Sequence, residues 1–199
     1  MKRFIFTAVI LLAAFNYANA TQVMPGTTLD MVVNSASDIF TCIVEDVSVQ
    51  ESQGTAFGEK TIYKCRVTQD VIKGNYKNNE EVTIVMPRGI KGLPVLQKNI
   101  EYLLMLPKAS DIGFRVPVAF DYGTYSILTD KDGNKKIRTN LGTETVFKDV
   151  IVKKPGLSKS LSVGEKEVVT KGGTKDVNYT DFISIIKKIN IENNEKASK

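Results

Sequence analysis

Two stretches of this chain, IFTCIVEDVSV (residues 39–49) and KTIYKCRVTQDVI (residues 60–72), alternate apolar and polar side chains. A β-strand turns successive side chains to opposite faces, so a period of two asks for strands with one buried face. The polar connection between them carries Gly54 and Gly58 and predicts an antiparallel hairpin. EEVTIVM (80–86), closed by Pro87, predicts a third strand, and the nearly continuous apolar run of NIEYLLML (99–106) predicts one buried on both faces. FRVPVAF (114–120) contains Pro117, which confines it to an edge or a bulge. GTYSILTD and KKIRTNL flank Lys131-Asp132-Gly133-Asn134, where Asp-Gly signals a hairpin turn. TVFKDVIVKK (145–154) and EKEVVTKGG (165–173) read as two weaker strands around a polar, serine-containing loop.

Helical periodicity is confined to the ends of this β-region. TLDMVVNSASD (28–38) predicts a short helix with Thr28 as N-cap and Leu29, Val32 and Val33 on one side. In YTDFISIIKKINI, Phe182, Ile185, Ile186 and Ile189 fall at i, i+3, i+4 and i+7, the apolar face of a helix begun by Thr180 or Asp181. Residues 192–199 read as a frayed polar tail. The expected fold class is mainly β: an antiparallel barrel or sandwich with a short N-terminal and a C-terminal amphipathic helix.

Ahead of this domain, Lys2 and Arg3, the apolar run from Phe4 to Phe15, and small residues at Ala18 and Ala20 make a secretory signal peptide, residues 1–20. Cleavage is expected before Thr21, and residues 21–191 form a single domain. Losing Lys2 and Arg3 lowers the net charge from +5 to +3, an ordinary value for solubility. The lysines are scattered apart from residues 148–175, read as a solvated surface, so nucleic-acid binding is not expected. No segment after the leader approaches the ~20 apolar residues of a membrane helix, so stable membrane insertion is not expected either.

The two cysteines, Cys42 and Cys65, fall on the apolar faces of the first two strands. A hairpin centred on Gln53 and Gly54 sets Cys42 directly across from Cys65, within bonding range at a non-hydrogen-bonded site. Outside the cytoplasm such a pair oxidises, and a structural disulfide is the expectation. Closing that loop would stabilise by at most roughly 3 kcal/mol, less because the hairpin already holds its ends together.

The chain contains no histidine. That removes Ser-His-Asp and Cys-His catalysis and histidine-ligated zinc, and two sulfurs alone make a poor zinc site. Asp130 to Gly133 fails as a calcium loop, because Leu128 and Thr139 stand where acidic ligands are needed. Ser158-Lys159-Ser160 reads as solvated loop and Glu80-Glu81 as an exposed strand start. Tyr63, Tyr102, Phe120, Tyr122 and Tyr125 read as core and rim packing rather than a stacking platform. The expectation is thus no catalytic residue, no metal and no cofactor.

With these residues in view, the order of features resembles a family of exported bacterial domains similar to the metalloproteinase-inhibitor (TIMP-like) OB-fold. The matching stretches are Ser37-Asp38 before the first strand, Val71-Ile72-Lys73-Gly74, EVTIVMP, Glu101-Tyr102-Leu103-Leu104, the glycine-led Gly123 to Ile127, Asp132-Gly133 and Asp181-Phe182-Ile183. The resemblance implies an OB-like barrel. In the eukaryotic inhibitors an N-terminal Cys-x-Cys chelates the target's zinc, whereas the cleaved chain here would begin Thr21-Gln22-Val23. The favoured function is therefore an exported, periplasmic or secreted, non-enzymatic module. It would bind a protein, peptide or glycan through loops at residues 50–58, 87–96 and 153–164. A protease inhibitor using another segment, and a hydrolase using Ser/Lys or carboxylates, are the alternatives.

Overall fold

The computed structural model describes residues 27–52, 58–138, 155–170 and 176–197. Helix α1 (Leu29–Ser35) starts where the Thr28 carbonyl accepts the Val32 N–H at 3.1 Å, with the Thr28 hydroxyl bonded to Asp30. It buries Leu29, Val32 and Val33 as the pattern predicts. Lys73 closes the helix by donating from Nζ to the carbonyls of Val33 (3.0 Å) and Ala36 (2.7 Å).

Seven antiparallel strands follow: β1 (Asp38–Glu51), β2 (Glu59–Lys73), β3 (Glu81–Pro87), β4 (Glu101–Leu106), β5 (Thr124–Thr129), β6 (Lys135–Arg138) and β7 (Asp176–Asn178). They form one sheet in the order β3-β2-β1-β4-β5-β6-β7. The predicted barrel is corrected here: the sheet is open, with β3 and β7 at its edges. The β4–β5 connection crosses to the far edge instead, where the Arg115 N–H donates to the Val85 carbonyl of β3 at 2.8 Å. Arg115 is anchored by its ion pair with Asp38 and its hydrogen bond to the Tyr76 hydroxyl, 3.1 Å. Pro117 therefore lies in an irregular crossing and not in a strand, and a 3₁₀ turn (Phe120–Gly123) leads into β5.

The β5–β6 hairpin follows its turn chemistry. Gly133 has φ +83°, and the Asp130 carboxylate accepts the N–H groups of Asp132 (3.0 Å) and Asn134 (2.8 Å). Beyond it, two expectations fail. The serine-containing loop contains helix α2 (Pro155–Ser160), and residues 165–170, read as strand, lie in helix α3 (Val163–Thr170). TVFKDVIVKK lies outside the described residues. Helix α4 (Tyr179–Ala197) runs through most of the predicted frayed tail, and its cap is Asn178, whose Oδ1 accepts the Asp181 N–H at 3.1 Å.

Each face of the sheet carries a core. On one, α1 and α4 pack over Ile39, Leu103, Met105, Tyr125, Ile127 and Ile137, with Phe182 meeting Tyr125 at 5.0 Å between ring centroids. On the other, the bend of β1, β2 and β3 encloses Phe40, Val44, Tyr63, Val67, Ile84 and Leu104. Central β4 feeds both, so Tyr102, Leu104 and Leu106 face one core and Leu103 and Met105 the other, as its apolar run predicts.

Candidate functional site: a groove beneath the loop at residues 94–97

The register of β1 on β2 decides the fate of the cysteines. Cys42 stands across from Val67, and Cys65 across from Val44. The predicted direct pairing is displaced by two residues, so the thiols are diagonal neighbours on one face, both free and fully buried. The pairing is already offset at Asp46, which stands across from Lys64 where a hairpin centred on Gln53 and Gly54 would give Thr61, and the irregularity between Val44 and Asp46 takes back one residue. Each extra residue on one strand shifts the partners of those that follow. A hydrogen bond with the Cys65 thiol, and then burial, push the Cys42 thiol up, away from the thiolate that nucleophilic chemistry needs.

The predicted binding loops separate. Residues 87–96 adjoin the turn end of the β1–β2 hairpin, where the Arg88 N–H donates to the Glu59 carbonyl (2.9 Å) and Arg88 pairs with Glu59 at 2.9 Å. The hairpin tip itself, residues 53–57, lies outside the described residues. The described part of 153–164 is helical and belongs to the α4 layer, tied there by Lys188 Nζ on the Ser160 carbonyl at 2.9 Å. The predicted aromatic set divides between the cores, Tyr63 and Tyr102 in one and Tyr122 and Tyr125 in the other. Lys159 and Ser160 are exposed, with the Ser160 hydroxyl turned back onto the Leu157 carbonyl at 2.9 Å.

A concavity lies on the sheet face opposite the helices. Its floor is built from alternate residues of two strands, Tyr102 on β4 and Thr124, Ser126 and Leu128 on β5, which point the same way because they sit two apart. Its wall is the 94–97 loop, with Asp121 and Arg138 at opposite rims. The cavity holds 260 Å³. Past Pro94 and Val95, which line both hollows, a second one of 80 Å³ lies against Tyr63 and Met86. Val95 separates the two and is 77% exposed.

The wall is held firmly. The Gln97 N–H donates to the Tyr102 hydroxyl at 3.0 Å, the Asn99 N–H to the Val44 carbonyl at 2.7 Å, and the Val44 N–H to the Ile100 carbonyl at 3.1 Å. Asn99 has φ +65°, a left-handed conformation that asparagine tolerates better than most residues. Burial pushes the Tyr102 hydroxyl up, so it stays protonated and serves as an anchor. Charge at the groove is confined to the rims, where Arg138 is held by Asp176 through contacts of 2.8 and 3.0 Å.

A polar network occupies the opposite face, where the helix layer gives out. Asp70 accepts from the Tyr179 hydroxyl (2.5 Å) and Lys187 Nζ (2.8 Å), and Glu101 accepts from Thr68 (2.9 Å) and Lys135 Nζ (2.8 Å). Thr41 joins the halves: its hydroxyl lies 2.6 Å from that of Thr68 and accepts from the Asp70 N–H (3.1 Å), filling the irregularity in the β1–β2 ladder. Lys135 lies 5.4 Å above the Tyr179 ring. Burial opposes ionisation of Asp70, but the bonds from Lys187 and Tyr179 outweigh it and hold the carboxyl below its usual value. Burial, and then the Asp70 carboxylate, push the Tyr179 hydroxyl up. The network's partners are all internal, and it binds α4 to the sheet.

Sequence reasoning missed the groove because its residues come from a loop, β4, β5 and β6. Thr41, a polar residue two positions from the buried Ile39 in an apolar alternation, is the sign of the network that the sequence carries. Among the described residues no cluster of three or more acidic, cysteine or histidine side chains is placed to hold a metal, and no helix is long and apolar enough to cross a membrane. In comparison with known proteins, the chain matches no family model and no curated protein.

Proposed function

We propose that the chain is an exported, non-enzymatic binding module whose groove beneath residues 94–97 takes a short extended segment of a partner polypeptide. The observation that carries this reading is Val95, exposed between hollows of 260 and 80 Å³. Small-molecule pockets run to ~300–1,000 Å³ as one enclosed volume. Two smaller hollows in succession, with hydroxyls from Thr124 and Ser126 in the larger, suit alternate side chains of an extended peptide. Export is supported by the basic, apolar and small-residue sequence of Met1 to Ala20. Kinship with exported TIMP-like domains of OB-type is part of the proposal, supported by the order of strand motifs and the Val71-Ile72-Lys73-Gly74 turn, and it does not extend to a closed barrel.

A displayed random-peptide library panned on the purified chain should enrich a common motif. Val95→Asp and Ser126→Arg should each weaken the enriched peptide at least tenfold with unchanged melting temperature. Unaltered affinity in both variants would remove the groove from the reading, and failure to enrich any motif would remove the peptide.

A further inference from the structure

We propose that Asn178 is an acceptor of N-linked glycan, added while the chain is exported; this rests on the export reading above. Of the thirteen asparagines, Asn19 and Asn178 alone have Ser or Thr two residues on. Cleavage before Thr21 removes Asn19 and leaves Asn178-Tyr179-Thr180 as the one Asn-x-Thr acceptor pattern.

The tripeptide is common, and its placement carries the inference. Asn178 and Thr180 are both exposed, at the junction of β7 and α4. The Asn178 side chain already has a task, since its Oδ1 accepts the Asp181 N–H and caps α4. That task uses the oxygen and leaves Nδ2, the atom a sugar bonds to, outside the capping contact. The amide oxygen remains an acceptor after Nδ2 is substituted, so cap and glycan are compatible. Asp176, two residues earlier, gives the unfolded segment a carboxylate for a transferase with a cationic acceptor groove to grip, before folding commits it to Arg138. Among the described residues no strand pairs with the outer edge of β7, an edge beside which the glycan would stand.

Tyr179, the middle residue, is buried with its hydroxyl on Asp70. A transferase that takes the tripeptide as an extended loop cannot grip it once Tyr179 has docked, so transfer precedes folding. Nδ2 attacks the anomeric carbon of an oligosaccharide carried on a polyprenyl diphosphate. The C–N bond forms as the bond from that carbon to the phosphate oxygen breaks. The lipid diphosphate leaves with the electron pair, and the amide proton passes to a carboxylate of the transferase; nothing is oxidised or reduced.

The test expresses the full chain in bacteria carrying a periplasmic oligosaccharyltransferase and its lipid-linked oligosaccharide. The periplasmic fraction should yield a chain beginning at Thr21 whose Asn178 peptide carries the glycan mass. Asn178→Gln and Thr180→Ala should abolish the added mass, Thr180→Ser should keep it, and Asp176→Ala should reduce it severalfold. An exported, processed and unmodified chain overturns the proposal. A chain retained in the cytoplasm instead counts against export. The purified full chain, unfolded in urea and diluted into transferase and donor, then decides the acceptor, and absence of transfer to Asn178 overturns it.

Discussion

Cys42 and Cys65 show how far two residues of register reach. Diagonal neighbours across an antiparallel pair stand about 7–8 Å apart, beyond the Cα separation of up to ~6.8 Å that a disulfide spans. Both thiols are fully buried, and Cys42 is held protonated by its neighbour and its surroundings. We expect the folded protein to resist a maleimide reagent, and the same sample unfolded without reductant to bind two equivalents. Recovery of one disulfide and no thiol would show that β1 and β2 pair two residues away from the register described. Tyr125 makes a related point, since its buried hydroxyl has no hydrogen-bond partner among the described residues and its ring fills the core beside Phe182.

At the scale of elements, the start of α3 is set by Ser162 and Glu165. The Glu165 N–H donates to the Ser162 hydroxyl at 3.2 Å, and the Ser162 N–H donates to the Glu165 carboxylate at 2.5 Å, a reciprocal capping box. Lys188 of α4 completes the arrangement at 2.6 Å, so one carboxylate both begins a helix and binds it to the next. Burial opposes the charge of Glu165, but bonds from Lys188, Ser184 and the Ser162 backbone outweigh it and hold the carboxyl at about 2. Its folded value lies below the unfolded value near 4.5, so its stabilisation is present above about pH 4.5 and is lost as the pH falls towards 2. The shift corresponds to about 3 kcal/mol at neutral pH. Glu165→Gln should destabilise by about 2–3 kcal/mol at pH 7 and flatten the acid limb of a stability–pH curve. Equal stability of variant and parent at pH 7 and an unchanged acid limb would deny Glu165 this role.

Among the described residues the strands form one sheet with a core on each face, and β1 and β4 belong to both. A strand shared by two cores cannot leave one without disturbing the other, so the described part should unfold as a unit. Leu104→Ala on one side and Ile186→Ala on the other, both fully buried, should each cost about 2–5 kcal/mol. Each should lower the urea midpoint while keeping a single transition of common slope. A transition split in two by either variant would mean that the cores fold independently.

Local chemistry alone determined much of this protein. Alternation placed β1, β2 and β3 to within about two residues, Asp132-Gly133 placed the hairpin turn, and the spacing of Phe182, Ile185, Ile186 and Ile189 placed the buried face of α4. These signals are carried by neighbours in sequence, so they survive without the fold. Ser162-x-x-Glu165 is an equally local signal that the reading of residues 165–173 as a strand leaves out. Tertiary structure decided the rest. Whether the sheet closes depends on which strand reaches the edge of β3, and the irregular crossing pinned by Arg115 reaches it first. The cysteine register depends on where the β1–β2 pairing begins, with Glu51 across from Glu59, and on the irregularity between Val44 and Asp46, and the groove joins residues from Pro94 to Arg138. Contacts of that kind are set by packing between distant segments, and no window of the sequence contains both partners.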